Sequence, residues 1–322
     1  MPQNSIYYAV GRLSVIEKNA IDGAKIERLL TARDAQEARR ILSEFGWPND
    51  GDNEQNASEH VRKACALVRE LSTDDKMVGA FLIAHDIANL KILLKARSLE
   101  SDAQMLSPCG TIPLDAMRSA VYERDYSMFP GVLKPALQAL EKRLSLKVDP
   151  MDIDVTLDKA HYAWVFSLLT KAQRTVTEYF KTKVDMINFV IMLRAKQQDM
   201  TPKFVENLLI SGGFVATLEW LRAFAQPEKW PMFMRRQGTK VYAAAIAAFL
   251  NKEKLPAFEK TSDDHLLSFF TPYRRSISDN ERLIGYLLMR ERESAAVRLI
   301  MAGKENHFPE EALRERLREL YA

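Results

Sequence analysis

Three stretches of the chain repeat one pattern of polar and apolar positions, and each predicts an amphipathic helix. They lie at 86–97, 185–196 and 293–304, and each begins with an acidic residue and ends with a basic one. We call them the signature segments. In the first, Ile87, Leu90 and Leu94 recur at helical spacing and form the apolar stripe expected to face a core.

A polar row borders this stripe, because residues 3, 7 and 11 positions after the acid fall on one side of a helix. The row contains Asp86, Asn89 and Arg97 in the first segment, Asp185, Asn188 and Lys196 in the second, and Glu293 and Lys304 in the third, where Ala296 replaces the Asn. Arg298, which lies in the third segment outside this row, is a further candidate for a signature or interface role. Acid and base lie about 16 Å apart, too far to pair with each other. We expect these side chains to cap or cross-link neighbouring helices, so that charge reversal at Arg97 or Lys196 loosens the fold. A shared partner surface is the alternative.

A second pattern precedes each signature segment, namely two apolar pairs 12 residues apart. The pairs are Leu29-Leu30 and Ile41-Leu42, Ala120-Val121 and Val132-Leu133, and Leu208-Leu209 and Trp220-Leu221. This spacing predicts two consecutive short helices, or one helix with an interruption, at the start of each repeat, and Pro130 and Gly212-Gly213 in the later copies favour an interruption.

The two patterns divide the chain into a leading helix (1–21), three helical repeats (22–110, 111–200 and 201–304) and a closing C-terminal helix (305–322). A single helix is left over at each end, and each has an apolar stripe that needs a partner. We therefore expect the first and last repeats to meet and form a closed funnel or cup. An open α-solenoid with capping helices is the alternative.

Composition supports an all-α fold, because the 322 residues include only 12 Gly and 13 Pro. With 46 basic and 43 acidic residues, the charge is too balanced to predict a nucleic-acid partner. Two cysteines favour a reducing compartment without a disulfide. No apolar run approaches the roughly 20 residues that span a bilayer, and no secretory signal is evident.

The sequence lacks the motifs of the common catalytic and nucleotide-binding sites. We find no phosphate-binding G-x-x-x-x-G-K-[ST], G-x-G-x-x-G, H-E-x-x-H or G-x-S-x-G pattern, and we expect no catalytic residue, cofactor or metal. Two basic patches with aromatic neighbours, Arg235-Arg236 and Arg274-Arg275, are candidates for contact with acidic partner surfaces or lipid head groups.

Four features together resemble the C/d-type central-stalk subunit of V-type and A-type rotary ATPases over most of the chain. They are the first helix at 7–17, Asp86-x-x-Asn-Leu-Lys, Asp185-x-x-Asn-Phe-Val, and the Arg-Glu-x-Glu block that runs from Arg290 to Lys304. The sequence departs from the family pattern at Ala296, where Asn is usual, and at Val190, where a base is common.

The resemblance implies an all-helical funnel of three similar domains between the soluble central shaft and the membrane proteolipid rotor ring. It implies a non-catalytic subunit that transmits torque, is monomeric alone, and lies at the cytoplasmic face of the membrane through its partners. The alternative function is an α-solenoid adaptor that binds a peptide or helix of another protein.

Overall fold

The computed structural model describes residues 5–48, 52–236 and 255–320, and every regular element within these ranges is helical. The α-helices are α1 (Ile6–Ile16), α2 (Gly23–Leu30), α3 (Ala35–Glu44), α4 (Asn53–Leu71), α5 (Asp75–Ser98), α6 (Leu114–Glu123), α7 (Leu133–Leu144), α8 (Pro150–Leu168), α9 (Arg174–Gln197), α10 (Pro202–Leu208), α11 (Thr217–Phe224), α12 (Trp230–Arg236), α13 (Leu255–Ser268), α14 (Glu281–Glu305) and α15 (Glu310–Arg316). Short 3-10 turns lie at Glu17–Asn19, Pro227–Lys229 and Thr271–Tyr273. The predicted all-α class is confirmed.

Several helices begin at residues whose side chains bind the free N–H groups of the first turn. Asp22, Asp34 and Asp52 each accept a hydrogen bond from the backbone N–H three residues further on. Thr201 caps α10 in the same way, Asp149 caps α8 by accepting from the N–H two residues further on, and both of these helices have Pro in their first turn. These caps satisfy donors that the helix itself leaves unpaired, so the local sequence fixes where the helices start.

The chain divides into two compact units, which we call the terminal unit (1–78 with 252–322) and the central unit (79–251). In the terminal unit, one core combines Leu29 and Leu42 from the first repeat with Val297, Ile300 and Leu313 from the end of the chain. The first repeat therefore packs directly against the last signature helix. The predicted repeat boundaries do not coincide with these units and remain a prediction.

The central unit has a core rich in aromatic side chains. Phe180 and Phe189 on α9 are buried, as are Trp220 on α11 and Trp230 on α12. The ring of Phe180 lies 4.9 Å from that of Phe81, and the ring of Phe189 lies 6.4 Å from that of Trp230, in tilted and edge-on arrangements favourable for aromatic pairs. Large rings thus join the two signature helices of this unit, α5 and α9, to their neighbours.

Helix α5 corrects one expectation from the sequence. By length and composition it is apolar enough to cross a membrane, whereas no such segment was expected from the sequence. However, 67% of its most apolar window is buried in the folded chain. It also contains Asp86 and Asn89, both fully buried and hydrogen-bonded within the protein. We therefore interpret α5 as a core helix.

Candidate functional site

Each signature segment lies beside the start of another repeat, and we call these three places junctions. Each junction combines a signature helix, an entry segment and the short helix that follows this segment. Junction 1 contains α5, 107–112 and α6; junction 2 contains α9, 210–215 and α11; junction 3 contains α14, 16–21 and α2. Junctions 1 and 2 lie in the central unit and junction 3 lies in the terminal unit.

In junction 1, the acid binds the backbone just before α6. Asp86 accepts hydrogen bonds from the N–H and the hydroxyl of Thr111, both at 2.7 Å, and from the N–H of Ile112 at 3.0 Å. The Asp86 side chain is completely buried. Because a buried carboxylate is costly unless it is hydrogen-bonded, these donors fix the entry segment to α5.

The Asn of the signature binds a second point of the same entry segment. Asn89 donates from Nδ2 to the carbonyl oxygen of Ser107 and accepts from its N–H at Oδ1, each at 2.8 Å. A side-chain amide has both groups needed for such a two-way contact. The acid and the amide together hold both ends of 107–112.

Junction 2 repeats this arrangement without a gap. Asp185 accepts from the N–H groups of Phe214 at 3.1 Å and Val215 at 3.3 Å. Asn188 makes the two-way contact with Ile210, again at 2.8 Å each. The entry segment 210–215 therefore corresponds residue by residue to 107–112.

Glycine stands at the same position of both entry segments, and the acid explains why. A Cβ added to Gly110 would lie 2.1 Å from Oδ1 of Asp86, and one added to Gly213 would lie 2.1 Å from Oδ1 of Asp185. The carboxylates cannot move aside without losing their donors. The role of these glycines was not predicted from the sequence, although each directly precedes the backbone that the acid binds.

The base of the first signature binds the far end of α6. Arg97 donates to the carbonyl oxygen of Val121, to the hydroxyl of Tyr126 at 3.3 Å and to Glu141 at 2.7 Å. Burial and the hydrogen bond that it donates to Glu141 raise the pKa of Tyr126 to about 12. Acid and base of one signature thus bind opposite ends of the same short helix.

The base of the second signature does not have this role. Lys196 is exposed and forms no ion pair within the described part of the chain. Instead, the buried indole Nε1–H of Trp230 donates to the carbonyl oxygen of Ala223 at 2.7 Å, in the last turn of α11. Counted from the matched entry segments, Ala223-Phe224, rather than Leu208-Leu209, corresponds to Ala120-Val121. Helix α10 precedes the matching short helix, and the sequence spacing did not reveal this.

In junction 3, the signature acid binds the first repeat. Glu293, completely buried, accepts from the N–H of Ile21 at 2.8 Å, from Arg290 at 2.7 Å and from Nε2 of His60 at 2.9 Å. The His60 ring stacks on Trp47 with centroids 4.0 Å apart. Burial alone would raise the pKa of Glu293, but the hydrogen bond from His60 and the positive charge of Arg290 outweigh it and lower this pKa.

The missing Asn of the third signature has a substitute. Counting back from Ile21, Ile16 corresponds to Ser107 and Ile210 of the other entry segments. Its carbonyl oxygen accepts a 3.4 Å hydrogen bond from Arg290, which also binds Glu293. One guanidinium therefore replaces the donor that Ala296 cannot provide.

The two bases of the third signature have different surroundings. Lys304 donates to the carbonyl oxygens of Leu30 and Ala32 at the end of α2, as Arg97 does at the end of α6. Arg298 pairs at the protein surface with Glu54 at 2.7 Å and binds the Ser58 hydroxyl at 2.9 Å. Lys304 therefore binds the end of the short helix of junction 3, whereas Arg298 connects α14 to α4.

The two basic patches are on the surface of different units. Arg235 and Arg236 lie in α12 in the central unit, and Arg274 and Arg275 follow the 3-10 turn Thr271–Tyr273 in the terminal unit. All four are exposed and form no ion pair with another residue that the structure describes. Unlike most of the signature residues, they are accessible to a partner.

Comparison with known proteins identifies the family of the chain. The family model of the ATP synthase (C/AC39) subunit matches residues 9–316. The chain is 24% identical to the C subunit of the V-type sodium ATPase of Enterococcus hirae, with 84% of each chain covered. It is 24% identical to the C subunit of the A-type ATP synthase of Methanosarcina mazei, with 96% of this chain and 92% of that one covered. For the C subunit of the V-type ATP synthase of Deinococcus radiodurans the identity is 23%, with 98% and 91% covered.

The match covers nearly the whole chain, and together with the helical structure it defines a helical, non-catalytic subunit of a rotary ATPase. The chain belongs to the ATP synthase (C/AC39) subunit family. This confirms the resemblance that the signature segments indicated.

The glycines of the two entry segments give a first prediction. Gly110→Ala or Gly213→Ala should lower the free energy of unfolding by about 1 to 3 kcal/mol, because the new methyl group overlaps a buried carboxylate. Gly131→Ala is the control, since a Cβ there meets nothing within 4 Å, and it should stay within about 0.5 kcal/mol of the parent. Urea unfolding measures all three, and equal stability would contradict the close approach.

The bases give a second prediction. Arg97→Ala and Lys304→Ala should each destabilise the chain by about 1.5 to 3 kcal/mol, because each leaves partly buried acceptors without a charged donor. Lys196→Ala is the matched control and should change stability by less than about 0.5 kcal/mol. The midpoints of urea unfolding distinguish these outcomes. A loss for Lys196→Ala as large as that for Arg97→Ala would show that the junctions are equivalent at their basic ends.

Glu293 gives a third prediction, on pH. Its pKa is lowered in the folded chain, so its ionised form adds stability above its ordinary value of 4.5, and this is lost as the pH falls below that value. Glu293→Gln should be destabilised at pH 7 and should lose part of the decline in stability toward acid pH. Exposed Glu315→Gln is the control. If the free energy of unfolding, measured in urea, changed with pH in parallel for the parent and Glu293→Gln, the lowered pKa of Glu293 would be refuted.

Proposed function

We propose that the chain is the non-catalytic central-stalk subunit of a V/A-type rotary ATPase. It couples the soluble shaft to the proteolipid rotor ring and transmits torque for ATP-linked ion transport. Its place is the cytoplasmic face of the membrane, where it is held through its partners. The observation that carries the proposal is the family match over residues 9–316.

The junctions support a mechanical role. A subunit that transmits torque must resist deformation between its partners, and tightly packed interiors with satisfied buried polar groups do so. In each junction, buried side chains fix a signature helix to the start of another repeat at two or more points. Force applied to one repeat is therefore passed to its neighbour through backbone contacts.

Junction 3 favours the closed arrangement over the open solenoid. An open solenoid separates its first and last repeats, because each repeat contacts only its neighbours in sequence. Here Glu293 and Lys304 near the end of the chain bind Ile21 and Leu30 near its start. We propose that this contact closes the three repeats into a funnel or cup, which gives the shaft a socket.

The exposed arginines are the proposed partner contacts. Arg235, Arg236, Arg274 and Arg275 have no intrachain ion pair within the described ranges, so their charge is available to acidic groups of the shaft or the ring. The signature residues are mostly engaged inside the chain and contribute by holding its shape.

Co-purification tests the proposal. An affinity-tagged chain is expressed in its native cells, and the membranes are extracted with a mild detergent. Purification of the tagged chain should recover both a stalk subunit and the proteolipid ring. Combined Arg274→Glu and Arg275→Glu should weaken this recovery without lowering the melting temperature, whereas Arg33→Glu, at another exposed position, should not. A tagged, folded chain that recovers neither partner would refute the function.

A further inference from the structure

We propose that a rigid aromatic and cationic site centred on Phe214 docks an acidic segment of a partner polypeptide. The inference rests on the proposed function and adds to it a surface and the chemistry of its partner. The site lies within the central unit, at a shallow cleft of about 390 Å³ between the end of α8, the start of α9 and the entry segment 210–215. Its main lining residues are Phe166, Leu169, Lys171, Arg174, Lys181 and Phe214.

The position of Phe214 distinguishes junction 2 from junction 1. Phe214 corresponds to Thr111, because both donate their backbone N–H to the same carboxylate oxygen of the signature acid. Thr111 also turns its hydroxyl to Asp86, whereas Phe214 has no hydroxyl and its side chain points outward. The residue is 56% exposed, although a ring of this size usually packs in the core.

The backbone below this ring is held firmly in place. Asp185 and Asn188 bind 210–215 at both ends, as described for junction 2. Gly212 adopts a positive φ of 108°, and the Phe166 ring occupies the space where a side chain would lie. An exposed aromatic residue on a preorganised loop loses little entropy on binding, and such residues contribute strongly to interfaces.

Positive charge surrounds the ring. Lys181 lies over the Phe214 ring with its Nζ 5.4 Å from the centroid. Lys171 and Lys181 form no ion pair with any described residue, while Arg174 pairs with Glu178 at 2.8 Å. Two cations thus remain uncompensated beside an exposed apolar surface. Charge complementarity therefore calls for a segment with Asp or Glu side chains and an apolar residue that packs on Phe214.

Site-specific photo-cross-linking in the assembled complex tests this site. The tagged chain with p-benzoylphenylalanine at position 214 is irradiated in native membranes, and cross-linked peptides are identified by mass spectrometry. We expect a cross-link to a partner segment rich in Asp and Glu. Position 308 is the matched control, since Phe308 is a similarly exposed phenylalanine, at 51%, in the other unit.

Charge variants test the chemistry. Lys171→Glu with Lys181→Glu should reduce the yield of the cross-link from position 214 by roughly tenfold. Lys203→Glu, at an exposed lysine of the same unit, should leave it unchanged.

The outcomes separate this inference from the proposed function. Recovery of the ATPase complex without a cross-link from position 214 overturns the docking site and leaves the proposed function standing. A cross-link to lipid, or to a segment without excess acid, also overturns the site. Failure to recover any stalk or ring subunit overturns both.

Discussion

The fold depends on a buried carboxylate that binds backbone N–H groups at the start of another repeat. Asp86, Asp185 and Glu293 are completely buried, and each accepts such a donor from an entry segment. Removing a charge from water is unfavourable unless hydrogen bonds replace those lost. Each buried acid is therefore satisfied only when the repeat that it binds is in its native position. The residues in each contact are distant in sequence, and the same kind of contact connects one repeat to another.

The constraint persists while the residues that meet it vary. The Asn of the first two signatures is Ala296 in the third, and Arg290 supplies the donor to the entry segment instead. The base of the second signature, Lys196, lies at the surface, and Trp230 binds the end of the short helix in its place. What is preserved is a side-chain donor to the backbone at the entry segment and at the end of the short helix, because an unpaired buried carbonyl is costly whichever side chain would satisfy it.

The separation between buried signature residues and exposed side chains relates the core to the proposed function. The signature residues are for the most part engaged within the chain, so the side chains left accessible to a partner are others, including the exposed arginines and Phe214. A torque-transmitting subunit needs both a rigid core and surface regions that present different side chains to different partners. The repeated buried contacts form the rigid core. Equivalent exposed positions carry different residues, such as Phe214 and Thr111, and so give the repeats different surfaces.

The sequence by itself determined the helical class, the three signature segments and the family. These follow from local features, since apolar periodicity, helix caps and motif order are all written in consecutive residues. Only the tertiary structure decided which backbone each acid binds, why Gly110 and Gly213 are glycines, and that α10 shifts the register of the third repeat. It also decided that Trp230 replaces Lys196 and that His60 and Arg290 meet at Glu293. These facts depend on contacts between residues as far apart as Ile21 and Glu293, and helical spacing contains no information on which distant segments come together.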